Sequence, residues 1–480
     1  MKKIYILIVA SLVIISCSDT EALSPVNQTR ISDVDAFSTP ERVEQLALGA
    51  YAGVKVGNFY GGRFMNYQDV RGPEFINERA NGVTNLFTWG FGVQSSTNEV
   101  QNLWAAAYTA INRCNILIDG VKTAPISTAL KTRYTAEAQF LRALSYYSLV
   151  TLYAQPYTLN EGASLGLPLR LKPETVDGNS NLVRSTVLEV YKQIIDDLNA
   201  AEINLPTANS NDYNNTTRAH RNTAIALKTR VYLSMGKYPE VITEANKIVS
   251  SGAPFSASSG VAHTLAPSIA NVFGKTTTAE NIFSFAYSSN DTPGTQNSLV
   301  FYYNGNTTVG GAEYSLNTSG IIANTGWKST DARRSFNVLT GTKRYVHKWT
   351  APQTDPDNVP VIRYAEVLLN LSEAIARSTN SVDTRAVALL NAVRGRSDAT
   401  TVFTTSSFAT AQDLIDQILI ERRIELLAEG FSSPDIMRLG QNFPAKGTVP
   451  SVAKGTTQYL WPIPLNEVLY NKLCKQNDGH

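Results

Sequence analysis

The sequence predicts a mainly α protein, a scaffold of paired helices carrying long irregular loops and a few short strands. Two observations support that reading. Apolar residues recur at helical spacing in successive blocks joined by short turns, and residues 250–357 interrupt them with a run rich in Gly, Asn, Ser and Thr. Paired helices bury their apolar faces against each other and need neighbours, so several pairs in one chain read as a stack.

The first sixteen residues stand apart from that body. Lys2 and Lys3 open the chain, an almost unbroken apolar stretch runs from Ile4 to Ile15, and Ser16-Cys17 follow. A basic start, a short apolar core and a small residue at the cut make a secretory signal. The apolar stretch is too short to span a bilayer, which takes about 20 residues. Residues 17–38 are polar and aperiodic and read as a flexible tether.

Thr39-Pro40 then offers an N-cap and a proline at the first helical position, and Val43, Leu46, Ala47, Ala50 and Val54 continue at helical spacing. Residues 39–480 are expected to form one domain. Its further helices are expected at about 97–121, 132–153, 184–201, 222–235, 239–249, 363–378 and 382–393. Between Glu137 and Tyr153 the only charge is Arg142, so that helix should be covered on most sides. The Gly236-Lys237-Tyr238 turn, with Ala245 on the helix after it, resembles a tetratricopeptide helix pair. The loop-rich insertion at about 250–357 is longer than compact domains leave structureless, and reads as a binding surface carried on the helices.

Composition narrows the function. Charged residues make up 17% of the 480, and the formal charge of +2 falls to zero when Lys2 and Lys3 leave with the signal. No basic block marks a nucleic-acid partner. Cys17, Cys114 and Cys474 suggest no disulfide framework. After the signal, the most apolar segment, 138–153, is too short to cross a membrane and carries Arg142.

Several motifs touch catalysis and fail on context. Gly162-Ala163-Ser164-Leu165-Gly166 matches a nucleophile elbow, but no strand precedes it and Pro168 blocks the helix that should follow. Gly274-Lys275-Thr276 lacks the first glycine of a phosphate loop, since Ile269 stands there. The four histidines have no partners at ligand spacing, and Pro356 spoils a calcium loop at Asp355, Asp357 and Asn358. Glu421, Glu425 and Glu429 share one helix face at a spacing a glycosidase could use. Arg394, Arg396, Arg422, Arg423 and Arg438 supply counter-charge, so the expectation there is an ionic network in the scaffold.

Ile14-Ile15-Ser16-Cys17 resembles the lipobox of bacterial lipoproteins, whose cysteine is lipidated and begins the mature chain. Four segments in order resemble the SusD/RagB family of surface nutrient-binding lipoproteins. They are AEAQFLRALSYYSLVTLYAQPYTL from Ala136, TAIALKTRVYLSMGKYPEV from Thr223, VIRYAEVLLNLSEAIA from Val361 with LLNAVRGRS from Leu389, and ILIERRIELLAEGFSSPDIMRLG from Ile418, closed by WPIPLNEVLYN. Ala154-Gln155 and Ser432 depart from the family's usual glycine and arginine, both at scaffold positions.

The resemblance implies a SusD-like fold with four tetratricopeptide-like pairs. It also implies a lipid-anchored place at the outer-membrane surface, a SusC/RagA-like TonB-dependent barrel as partner, and an oligosaccharide or, in some members, peptide ligand. No cofactor or metal is implied, and membrane contact would run through the lipid alone. The rival of another class is a surface glycoside hydrolase; a purely structural cap is a third reading. The family's ligand surface comes from loops in two regions, which here hold Asp69, Arg71, Glu74 and Trp89, then Tyr302, Tyr303, Tyr314 and Trp327. These eight are the candidate ligand-binding residues, since flat rings cover sugar C–H faces while polar neighbours bond the hydroxyls. Trp104 and Trp461 are expected in the core.

Overall fold

The computed structural model describes residues 33–175, 181–275 and 277–480. The signal segment and the lipidation position Cys17 lie outside the described residues. The expected tether ends sooner than residue 38: Asp33–Ala36 form a helical turn, and the Phe37 ring fills the space a Cβ on Gly120 would need.

Helix α1 (Pro40–Val54) starts where the sequence places it, with the Thr39 side chain accepting the Arg42 N–H. Then come α2 (Asn98–Gly120), α3 (Thr128–Tyr153), α4 (Val187–Asn204), α5 (Arg221–Ser234) and α6 (Tyr238–Ala245). After the insertion follow α7 (Tyr364–Thr379), α8 (Thr384–Ser397), α9 (Ala411–Glu425), α10 (Ser432–Arg438) and α11 (Leu465–Tyr470). From α1 to α8 each helix packs on the next, and α9 closes on α7 and α8. Gly236 turns between α5 and α6 at φ +68°, a left-handed conformation that glycine adopts without a Cβ clash.

Helix α3 is buried along most of its length, as its single interior charge predicts. Arg142 is buried with it and donates to both carboxylate oxygens of Asp197 on α4, at 2.8 and 2.7 Å, and to Asn115 on α2 at 2.8 Å. One guanidinium thus ties three helices together.

The insertion is laid over this stack by three antiparallel strand pairs. Strand β1 (Phe75–Asn77) pairs with β3 (Tyr314–Leu316), β2 (Asn281–Phe285) with β6 (Val359–Arg363), and β4 (Asn337–Thr340) with β5 (Lys343–Val346). Both β2 and β6 are wholly buried, and β6 runs directly into α7. One apolar cluster reaches from Val43 to Cys474 and includes Trp104 and Trp461.

Helix α9 ends at Glu425, so Glu429 lies four residues past it in a turn and not on the same helix face, yet all three glutamates enter the buried ionic network foreseen for them. Glu421 pairs with Arg333 at 2.5 Å and Arg394 at 2.6 Å, and Glu429 with Arg363 at 2.7 Å and Lys348 at 2.6 Å. Glu425 meets Arg333, Arg363 and Arg396 at 2.9, 2.9 and 2.6 Å. Burial opposes its charge, but Arg396, Arg363 and Arg333 outweigh burial and hold the carboxyl well below the usual range. Arg422 and Arg438 turn instead to Glu373 and Asp435, and Arg423 to Glu74.

Candidate functional site

The two regions expected to build a ligand surface do come together. Strand β1 lies beside β3, the Phe75 ring meets Tyr303 at 4.9 Å, and Tyr303 stacks on Trp349 at 5.9 Å. What they build is the support of a surface. All eight candidate residues are buried, Tyr302, Tyr303 and Tyr314 at 0% exposure and Trp89 at 9%.

Each is held by an internal partner. Tyr303 donates to Asp69 at 3.2 Å, Tyr302 to the Gln296 carbonyl at 2.8 Å, and Tyr314 to the Thr84 carbonyl at 2.6 Å. Trp89 Nε1 donates to the Phe75 carbonyl at 2.9 Å, and the Arg334 guanidinium covers Trp327 at 4.3 Å. Arg71 donates to Ser433 and the Tyr459 carbonyl and lies over the Phe443 ring. Glu74 accepts the Ile321 N–H and ion-pairs with Arg423. The expected exposed aromatic shelf is therefore corrected: a ring enclosed on both faces has none left for a sugar in this conformation.

The polar run NYQDVRGPE at residues 66–74, which holds Asp69, Arg71 and Glu74, has the same explanation. Helix Arg63–Val70 is buried at every position, and its polar side chains stitch the insertion to the helices. Arg63 donates to Asn297 at 2.5 Å, Gln68 to Thr151 at 2.9 Å, and Asp69 accepts the Gly430 N–H at 2.8 Å. Burial pushes the Asp69 carboxyl up to about 7, against the pull of the Gly430 N–H and the Tyr303 hydroxyl.

Above this support lies a loop face. It comprises residues 78–87, the 305–308 loop and the β4–β5 hairpin. Glu78 ion-pairs with Lys343 and accepts from Ser315, while Thr84 donates to Glu313 at 2.6 Å. A Cβ on Gly305 would fall 2.5 Å from the Tyr345 ring, so hairpin and loop are in contact. Asn306, Thr307, Thr308, Lys343 and Arg344 are exposed along it.

Phe87, two residues before Trp89, is 45% exposed. Its backbone is fixed from below. The buried Glu99 carboxylate accepts the N–H groups of Phe87 and Thr88 at 3.2 and 3.0 Å, and a Cβ on Gly82 would stand 3.4 Å from the ring. Phe87 and Trp89 sit on one helical turn, Leu86–Trp89, with Trp89 turned inward. The rigid mount and exposed face give a flat apolar platform.

Asp69 and Glu74 also border a largely apolar groove of about 260 Å³ between α9 and α10. The catalytic motifs find no support in the geometry around them. Ser164 accepts from Asn160 at 2.8 Å in an irregular segment, and Lys275 ion-pairs with Asp355. Asp357 accepts the Thr350 and Ala351 N–H groups. Among the described residues no group of three or more His, Cys, Asp or Glu is placed to hold a metal, and no helix is long and apolar enough to cross a membrane.

Known proteins share both sequence and fold with this chain. A SusD-like family model described as starch-binding associating with outer membrane matches residues 23–233, and a model described as SusD family matches residues 207–480. A SusD superfamily protein of Bacteroides fragilis superposes with a TM-score of 0.81 at 31% identity, over 92% of this chain and 100% of that one. SusD-like protein P38 of Formosa agariphila is 24% identical over 98% of this chain and 97% of its own length. A laminarin-binding SusD-like protein has the same fold, with a TM-score of 0.72 at 18% identity, over 92% of this chain and 100% of that chain. Sequence and fold agree over nearly the whole chain, which belongs to the SusD family.

Proposed function

We propose that the protein captures a glycan on its loop face and passes it to a TonB-dependent outer-membrane barrel, held at the cell surface by lipid on Cys17. The observation that carries the binding part is the exposed Phe87 ring, its backbone fixed by Glu99. A sugar ring resting on Phe87 would bury a C–H face, and the polar, exposed Asn306, Thr307 and Thr308 of the loop face offer amides and hydroxyls to a longer glycan. The laminarin-binding relative supports this ligand class, and the outer-membrane description of the matched family supports the location.

Binding without hydrolysis is the reading that best fits the carboxylates. Glu421, Glu425 and Glu429 are buried among arginines and a lysine, so none is poised as acid or nucleophile toward a surface ligand. An exposed site of this kind should bind at micromolar to millimolar Kd, about −8 to −4 kcal/mol.

A glycan and peptide array on the purified protein, followed by recovery of the bound glycan, tests the proposal. The expected result is an intact glycan, with binding weakened in Phe87→Ala. Shortened glycan, or hits among peptides alone, would overturn it. For the anchor, Cys17→Ala should leave the membrane fraction, since acyl chains contribute about 0.8 kcal/mol per buried CH₂; an unchanged membrane pool contradicts it.

A further inference from the structure

A second concavity is lined by residues other than those of the loop face. It is a cleft of about 410 Å³ between residues 101–115 of α2, residues 170–174 and α11. That volume falls within the range of about 300–1,000 Å³ that small-ligand sites occupy. None of the eight residues expected to bind ligand lines it.

The floor is aromatic. Trp104 and Tyr108 lie in the cleft with ring centroids 4.8 Å apart, and Trp104 is backed by Tyr153 at 5.0 Å. At the rim, Tyr470 is 76% exposed, an aromatic that the core does not use. The polar groups between them are already ordered. Glu467 accepts from Trp104 Nε1 at 3.2 Å, from Arg170 at 3.3 Å and from Asn471 at 2.7 Å. Asn112 is clamped to the backbone of Glu174 by two 2.8 Å bonds, and Tyr108 donates to the Pro168 carbonyl at 2.8 Å. Preordered polar groups around an aromatic floor lose little freedom when a ligand arrives.

We propose that this cleft is a second carbohydrate site, and that it takes a neutral oligosaccharide. Tyr108, only partly buried, and the exposed Tyr470 cover sugar C–H faces, with the buried Trp104 backing Tyr108, while Gln101, Asn466 and Glu467 meet hydroxyls. The charge of the lining selects the class. Among the described lining residues the charges are Arg170, Glu174 and Glu467, so a sulfated or uronic chain would meet two carboxylates there. The proposal shares a ligand class with the loop-face reading but stands on separate residues.

The test titrates the full mature chain with maltoheptaose, laminarihexaose and mannohexaose, and with an alginate hexasaccharide as the anionic counterpart. Calorimetry is run on wild type, Tyr470→Ala, Phe87→Ala and the double variant, with melting curves for each. Tyr470 is exposed, so its replacement should leave the melting temperature unchanged.

The expected result is that at least one neutral oligosaccharide binds and the alginate does not. Tyr470→Ala should weaken one binding event roughly tenfold, Tyr470→Phe should restore most of it, and Phe87→Ala should leave that event in place. Crystals soaked with the same sugar should show it between Tyr108 and Tyr470. Unchanged affinity in Tyr470→Ala, binding of the alginate alone, or no neutral sugar bound at millimolar concentration overturns the proposal. Loss of binding in Tyr470→Ala with none in Phe87→Ala would remove the loop-face reading and leave this one standing.

Discussion

Glu425→Gln separates a scaffold carboxylate from a catalytic one. Its two oxygens meet three guanidiniums, Arg363 and Arg396 on one side and Arg333 on the other, in a site closed to solvent. Glutamine retains one acceptor and turns the other position into an N–H pair facing an arginine donor, and it removes the charge that balances the three cations. Breaking a buried ion pair from one side costs about 3–5 kcal/mol. Unfolding entropy of about 2.1 cal/mol/K per residue gives about 0.9 kcal/mol/K for roughly 450 residues, so the melting temperature should fall by about 3–5 °C.

The pH dependence follows from the depressed carboxyl. Its stabilisation is fully present above the unfolded value of about 4.3 and is lost as pH falls through the lower folded value. Wild type and variant should therefore differ most near neutrality and converge in strong acid. Thermal melting between neutral and acid pH is the assay, with glycan turnover followed alongside. An unchanged melting temperature, or a turnover that Glu425→Gln abolishes, refutes the reasoning.

Other sites give further expectations. Asp69, with its carboxyl raised to about 7, holds its proton more tightly folded than unfolded, so its effect runs opposite to that of Glu425. Relative to Asp69→Asn, wild type should lose on the order of 4 kcal/mol between about pH 4 and pH 7 and level off above, as denaturant melts across that range will show; parallel curves would contradict it. Arg142→Met leaves Asp197 buried without its guanidinium and should cost about 3–5 kcal/mol, and adding Asp197→Leu should recover most of it. A double variant no more stable than the single one would show that the pair is not what holds α3 to α4.

Helical periodicity made the scaffold legible. The N-cap at Thr39, the α2 block and the Gly236 turn all signal through neighbours in sequence, and the structure places elements within a few residues of each. Polarity misled where partners come from far along the chain. Asp69, Arg71 and Glu74 read as ligand surface, yet Gly430, Tyr459 and Ile321 take them up inside.

Aromatic size misled in the same way. Trp89 drew attention and Phe87 did not, although a single helical turn decides between them. The carbonyl of Phe75 takes the indole N–H inward, and the phenyl ring is left outside. The ionic role of Glu421 and Glu425 was legible in kind, with Arg394 and Arg396 rightly among the partners. Arg333 and Arg363 were missed because the insertion and β6 bring them from 62 to 92 residues away.

Calorimetric titration of Phe87→Ala against wild type, with a glycan selected by array, tests the central claim most directly. The platform account predicts affinity roughly tenfold weaker, about 1.4 kcal/mol, at an unchanged melting temperature. The buried Trp327→Ala serves as the contrast and should lower the melting temperature instead. Equal affinity of Phe87→Ala and wild type for every glycan bound would contradict the account.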